Sequence, residues 1–371
     1  MVDFKEKNTL VVYSEEYWKF DFGRTHPMRP IRIKLFYMLL EELFGADSFF
    51  VYRSPSSISE DFLYTYHSKD YIEKLKSEIP DLESGLGTFD NPLVPGIFEW
   101  AFEAVKGTVT ASNGVSEFRV NFNPGGGMHH AHPSKASGFC YLNDIVVAVN
   151  IIKRERPDLR ILYLDMDAHH GDAVQSFFYR RDDVLFISIH QEDIFPLSGK
   201  IDEMGEDRGY GYTVNVPIPR YSEDEDVWYI FEKIVFPLLE RYEPDIVFVQ
   251  LGADAHRDDP LTNLYLTTGI YKRVSEELAR LFKGSFVVTG GGGYDIVNVA
   301  RIWTIFVSSL AGVKVPDRLP EKFLRISIME GYDGPFIEDI PSWSGLKSQI
   351  KDTVKERVDF LIKKIPLLAR G

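Results

Sequence analysis

Apolar positions along the chain fall into two kinds of run that take turns. Short, nearly continuous runs rich in Val, Ile, Leu and Phe occupy 9–13, 118–122, 161–164, 184–189, 212–216, 246–251 and 286–289, the pattern of strands buried on both faces. Between them, apolar residues recur three and four positions apart over 31–44, 67–79, 97–111, 141–153, 173–179, 223–241, 271–281 and 295–310. That spacing predicts helices with one face turned to a core. A last helix is predicted over 350–369, packed on the outside, and 83–95 is a Gly/Pro-rich loop long enough to form a rim or lid. Strands alternating with helices over nearly the whole length predict an α/β fold, one open and mostly parallel sheet with helices on both faces. No repeat, low-complexity tract or flexible linker interrupts the pattern. The expectation is therefore a single domain over 1–371, with a core at about 9–312 and a peripheral 313–371 of helix and loops.

Composition narrows the function classes. Hydrophobic residues make up 44% and charged residues 26%, enough apolar material for a sizeable core. A formal net charge of −14 opposes a grip on nucleic acid through a basic surface, although it would attract basic proteins or polyamines. The single cysteine, Cys140, rules out an internal disulfide and a cysteine-rich zinc site, so any metal must be held by histidine and carboxylate. It also fits a reducing compartment. The first residues lack a basic-then-apolar leader, and no apolar run approaches membrane-spanning length. These features together predict a cytoplasmic protein with neither a membrane nor a nucleic-acid partner.

Chemistry gathers at the ends of the predicted strands. The run at 161–164 is followed within eight positions by Asp165, Asp167, His169, His170 and Asp172. If the strand continues, Asp165, Asp167 and His169 share one face and could meet a divalent cation. The run at 118–122 is followed by Gly125, Gly126, Gly127, His129 and His130. The run at 246–251 is followed by Gly252, Asp254 and His256, and that at 286–289 by four glycines and Tyr294. Ligands of open parallel sheets bind beyond the carboxyl ends of strands, so four such ends point to one site. Asp167, His169 and Asp254 would make a three-ligand metal site with an open position, suited to catalytic zinc and nearly as well to ferrous iron. Two adjacent histidines offer a general base and a general acid, each wanting a carboxylate behind it, for which Asp165 and Asp172 are candidates. A tyrosine after glycines can reach a developing oxyanion. Those parts suffice to hydrolyse an amide. The glycine runs lack the Lys-Ser/Thr of a phosphate loop and the dinucleotide fingerprint. Cys140 reads as packing, His26, His67 and His190 as structural, and His132 as a neighbour of the pair. His256 is left open between a rim residue, a substrate contact and no role.

The motifs GGGMHHAHPSKASGFCYLND, LYLDMDAHHGD, QLGAD and TGGGGY, in this order and spacing, resemble the arginase/deacetylase superfamily and specifically the zinc-dependent histone deacetylase family. The resemblance covers about 13–303, and LGTFDNPLVPG with GADAHRDDPL looks closest to the acetoin-utilisation-type deacetylases of bacteria and archaea. It implies that Asp167, His169 and Asp254 hold the metal, and that His129, backed by Asp165, and His130, backed by Asp172, form the catalytic pair with His130 the proton shuttle. Tyr294 would polarise the carbonyl. Gly138, Phe139 and Phe195 would line an acyl-lysine tunnel, Asp90 would hold the substrate backbone, and Arg32 would serve an internal acetate channel. The family's structural potassium sites would fall on Asp165, Asp167, His169, Ser188 and Ile189, and on Phe178, Arg181, Val184 and Tyr212. The implied reaction is hydrolysis of an acetyl (acyl) amide, most readily acetyl-lysine in proteins. The alternatives are an acetylated polyamine or other small amide and, less so, silent binding of acyl-lysine. An arginase-like two-metal centre would need acidic ligands that Arg257 and the Tyr294 motif do not supply.

Overall fold

The computed structural model describes residues 8–23, 25–45, 49–332, 334–339 and 351–369. Among them, eight strands make one sheet: β1 Thr9–Val12, β2 Phe50–Arg53, β3 Val120–Asn123, β4 Ile161–Asp165, β5 Val184–Gln191, β6 Thr213–Ile218, β7 Ile246–Gln250 and β8 Ser285–Thr289. Their order is β2-β1-β3-β8-β7-β4-β5-β6, and every neighbouring pair is parallel. The sheet is thus wholly rather than mostly parallel.

Alternation along each strand divides the core into two layers. Leu162, Leu164, Val247, Val249, Phe286 and Val288 pack into one apolar cluster with helices Ile31–Phe44, Thr268–Leu281 and Ile296–Leu310. Ile161, Tyr163, Ile246, Phe248 and Val287 pack into the other with helices Lys69–Ser77, Ile97–Asn113 and Asp144–Glu155. A fully buried parallel strand must be apolar at every position to satisfy both layers, which explains the unbroken sequence runs.

Several elements depart from expectation. β2 and the helix Glu321–Met329 carry no strong pattern and were not anticipated. The stretch read as one helix over 223–241 is Asp224–Ile230, a π turn Phe231–Val235 and Phe236–Tyr242. The helix expected from 141 begins at Asp144, because the Asn143 side chain caps it by accepting from the Val146 N–H at 3.0 Å. The single last helix expected over 350–369 is two, Asp352–Lys364 and the short Pro366–Ala369, with Ile350 outside the described residues; Val354, Val358 and Leu361 of the first are fully buried in the first apolar cluster. No described helix is long and apolar enough to cross a membrane.

Candidate active site

β3, β8, β7 and β4 are consecutive neighbours, and they are the four strands whose ends carry the polar motifs. With strands about 4.8 Å apart, those ends span roughly 14 Å of the sheet's carboxyl edge. The strand conformation of β4 stops at Asp165, which keeps the face of Tyr163 and accepts its hydroxyl at 2.8 Å. Beyond it the chain curls: the Asp167 N–H donates to Asp165 Oδ1 at 3.1 Å and the His169 N–H to Asp167 Oδ1 at 3.0 Å. The two carboxylates therefore part company. Asp165 turns to His129 Nδ1 at 2.9 Å, while Asp167 joins His169 and Asp254, whose donor atoms lie within 4.8 Å of one another. His169 Nδ1 is 2.9 Å from Asp254 Oδ2. Three buried O and N donors at that spacing fit a divalent cation. Two glycines make room. A side chain at Gly292 would collide with the carboxylates of Asp254 and Asp167, and one at Gly138, whose φ is +51°, would strike His130 and Phe195. Within the glycine run before Tyr294, it is Gly292 that leaves room for the two carboxylates.

His130 Nδ1 lies 2.8 Å from Asp172 Oδ1, and His132 Nε2 lies 3.0 Å from the other oxygen of that carboxylate. The rings of His129 and His130 sit 3.9 Å apart. Their charges diverge. Burial disfavours a proton on His129, but Asp165 and Asp167 outweigh it and lift the pKa to about 9. Burial, with His129 beside it, pushes His130 down to about 3 against the pull of Asp172. Burial and then Asp167 push Asp254 up to about 6. His169 is held at about 10, since its two carboxylates overcome burial. Burial, then Asp254 and Asp167, raise Tyr294 well above an ordinary phenol, so its hydroxyl keeps its proton as a donor.

These groups open onto a cavity of about 320 Å³ lined by His129, His130, Asp167, His169 and Tyr294, together with Asp90, Gly138, Phe139, Phe195 and Arg32. Phe195 lies 4.9 Å from His130, and Phe139 lies 5.7 Å from Tyr294, so the aromatic rings form walls. Asp90 is exposed at the rim, where its carbonyl lies 3.3 Å from His26 Nε2. Arg32 is buried and donates to the carbonyls of Gly293 at 2.6 Å and Gly291 at 2.7 Å. Ser188 pairs in register with Asp165, and Ile189 follows it. Phe178, Arg181, Val184 and Tyr212 gather at the opposite edge of the sheet, where β5 and β6 begin. There the N–H of Arg181 donates to the Phe178 carbonyl and that of Phe186 to the Tyr212 carbonyl, each at 2.9 Å.

Some contributors were invisible in the sequence. Asp144 accepts from the N–H groups of Gly127 at 3.0 Å and Met128 at 2.7 Å, fixing the turn before the histidines. Gln250 donates to the Gly127 carbonyl at 2.9 Å. Asp259 accepts from the Tyr294 N–H at 2.8 Å. His26, read as structural, also packs on Phe139 at 4.7 Å. His256 turns away from the cavity and lies 2.8 Å from Asp339, which gives it a structural place. His170 also turns away, to Ser198 and Gln175.

An open parallel α/β sheet whose carboxyl edge gathers an Asp-His-Asp set that could hold a metal ion, a carboxylate-backed histidine pair and a tyrosine has the parts of an amide hydrolase. A model of the histone deacetylase domain matches residues 26–310, and the chain belongs to the histone deacetylase family. It is 36% identical over 334 residues to the acetoin utilization protein AcuC of Bacillus subtilis, covering 86% of both chains. It is 33% identical to the probable histone deacetylase 1-B of Xenopus laevis, over 85% of this chain and 67% of that one. A crystal structure of an HDAC homolog from Aquifex aeolicus superposes with a TM-score of 0.86 at 28% identity, over 95% of this chain and 99% of that one. A crystal structure of an HDAC homolog complexed with SAHA gives a TM-score of 0.85 at the same identity and coverage. Family membership makes the chain a deacetylase.

Proposed function

We propose that this chain hydrolyses the acetyl amide of acetyl-lysine in proteins or peptides, releasing lysine and acetate with a divalent metal. The observation that carries the reading is the convergence of three metal donors, two carboxylate-backed imidazoles and a protonated tyrosine on one aromatic-walled cavity. Asp167, His169 and Asp254 hold the metal, zinc or ferrous iron. When bound, it acts as a Lewis acid on the amide carbonyl and lowers the pKa of water. Phe139, Phe195 and Gly138 enclose the acyl-lysine stem, and Asp90 at the rim takes the substrate backbone N–H. His129 and His130 take the proton from the attacking water and return one to the departing amine. The low proton affinity of His130 leaves its Nε2 free to accept, and Asp172 orients the ring. Tyr294 donates its hydroxyl to the oxygen that gains charge. Arg32 marks the route for acetate. Potassium occupies the two sets at Ser188 and at Tyr212 as a structural ion, a reading that rests on family resemblance.

The net charge of −14 favours a second substrate class, cationic acetylated polyamines. A fluorogenic panel of acyl-lysine peptides and acetylated polyamines, run on zinc- and iron-loaded protein, decides between them. Peptide turnover is expected. Polyamine turnover without peptide turnover would overturn the protein-substrate reading, and no turnover of either, despite bound metal, would favour a silent binder.

A further inference from the structure

We propose that Asp259 is a positioning residue that sets the orientation of Tyr294, coupling it to the loop that carries the metal donor Asp254. The inference rests on the reading of Tyr294 as the oxyanion donor. Tyr294 ends a run of four glycines, of which Gly291 and Gly293 have φ of +91° and +125°. Such a segment has no side chains to hold its shape, so its backbone groups must be held from outside. They are held one after another. Arg32 takes the carbonyls of Gly291 and Gly293, Asp167 accepts from the Gly292 N–H at 2.7 Å, and the Ala253 N–H donates to the Gly292 carbonyl at 2.9 Å.

The N–H of Tyr294 itself is taken by Asp259 Oδ2 at 2.8 Å. The other oxygen of Asp259 accepts from the Leu261 N–H at 2.9 Å, and Leu261 lines the cavity. One carboxylate therefore ties the tyrosine's peptide to a piece of the wall. Asp259 is only 7% exposed and is not among the residues lining the cavity, so it acts through its partners. On the other side of Tyr294, Asp295 accepts from the N–H groups of Val297 and Asn298 and starts the next helix. Asp259 thus fixes the peptide plane that precedes the tyrosine, and Asp295 caps the helix that follows it. With one oxygen on the Tyr294 N–H and the other on the Leu261 N–H, the Asp259 side chain fixes the direction of the peptide that carries the tyrosine, which suits a group that must hold a catalytic hydroxyl to a fraction of an ångström.

A buried aspartate that merely satisfied loop amides would affect folding but not Tyr294 in particular. The test is a double-mutant cycle of Asp259→Ala with Tyr294→Phe, read as kcat and KM on an acetyl-lysine peptide, with metal content measured throughout. Asp259→Ala is expected to lower kcat by roughly 10- to 100-fold with KM and bound metal unchanged, and to cost less than about 3-fold further when made in the Tyr294→Phe background. Losses that multiply would overturn the proposal. Asp259→Asn, which keeps the volume and one carbonyl acceptor, replaces the alanine variant if the latter does not fold, and should lie between it and the parent. Independently of activity, amide hydrogen exchange at Tyr294 in Asp259→Asn should speed up by at least about 10-fold. Unchanged exchange would overturn the proposal even if Tyr294→Phe proved fully active, a result that would instead remove the oxyanion-donor reading.

Discussion

Two buried charged clusters flank the loop after β7, and they are built on opposite plans. Around Arg301 the charges balance. Arg301 is fully buried and lies 2.8 Å from Asp339 Oδ1; Asp339 Oδ2 lies 2.8 Å from His256 and accepts from the Thr268 N–H at 2.8 Å. Arg301 also donates to the Ile337 carbonyl at 2.9 Å and to Asn298. The result is a carboxyl held well below its ordinary range despite burial, by His256 and Arg301. Around Asp254 the charges do not balance. Asp165, Asp167 and Asp254 are all buried with imidazoles as their nearest basic partners, and Asp254 is pushed up by burial and by Asp167. Asp254 and His256 are two residues apart, yet one belongs to each cluster. A closed, balanced cluster holds the fold together. A surplus of buried carboxylate is stabilised when something positive comes to it, which fits a binding centre.

The sharpest way to break the comparison is Asp254→Ala. It should abolish stoichiometric metal binding, measured by elemental analysis. It should also lower deacetylation by ~10⁴-fold or more, upwards of ~5 kcal/mol of barrier. The metal-free variant should resist urea at least as well as the metal-free parent, because a crowded charge has gone. Full activity would remove the metal assignment. Asp339→Ala should do the reverse, costing about 3–5 kcal/mol of stability by stranding the Arg301 charge, while the folded fraction keeps its specific activity. Urea midpoints together with active-site-normalised kcat report both; a loss below about 1 kcal/mol would show that the cluster does not hold the fold.

Tyr294→Phe removes only a hydroxyl. It should reduce kcat by about 10²–10³-fold, some 2.7–4 kcal/mol, with metal content and urea midpoint unchanged. The last effect, absent near pH 7, belongs to an imidazole outside both clusters. His67 is buried, and desolvation pulls its pKa down to about 3. Below pH ~6.5 the unfolded chain takes up a proton there that the folded chain refuses, so stability falls as pH drops from about 6.5 toward 3, by at most ~1.4 kcal/mol per pH unit. His67→Gln should flatten that limb in urea midpoints of metal-free protein between pH 4 and 7. Identical slopes for variant and parent would show that His67 titrates alike in both states.

How much of this was readable beforehand depends on what each residue touches. The buried strands were legible because a parallel strand sandwiched between helix layers must be apolar at successive positions, as Ile161, Leu162, Tyr163 and Leu164 are. β2 was not, since it is an edge strand of four residues whose Tyr52 is exposed and whose Arg53 pairs with Glu117 at 2.7 Å. The strand-end groups stood out by residue type, but their adjacency depends on β7 and β8 entering between β3 and β4, an order that local pattern does not encode. Period-two reasoning served as far as Asp165 and failed at Asp167, where the strand gives way to a turn. Asp144 and Asp259 escaped notice because they serve backbone N–H groups, a task any acidic residue can perform and no spacing advertises. His256 was ambiguous for a related reason: proximity in sequence to Asp254 says nothing about which way a ring turns.

The wholly parallel order of β3, β8, β7 and β4 also governs when the centre can exist. Its groups meet across separations of 36 residues for His129 and Asp165, 85 for His169 and Asp254, and 125 for Asp167 and Gly292. No short piece of chain holds even two strand ends in place, and such long-range pairings are slow to form because loop closure comes first. High-affinity metal capture therefore belongs to the finished protein alone. A cation that binds only there draws the folding equilibrium toward completion, by about 2.7 kcal/mol at a hundred times its Kd. Refolding followed by metal uptake should then lag refolding followed by helix content, with the ion as the last part to arrive.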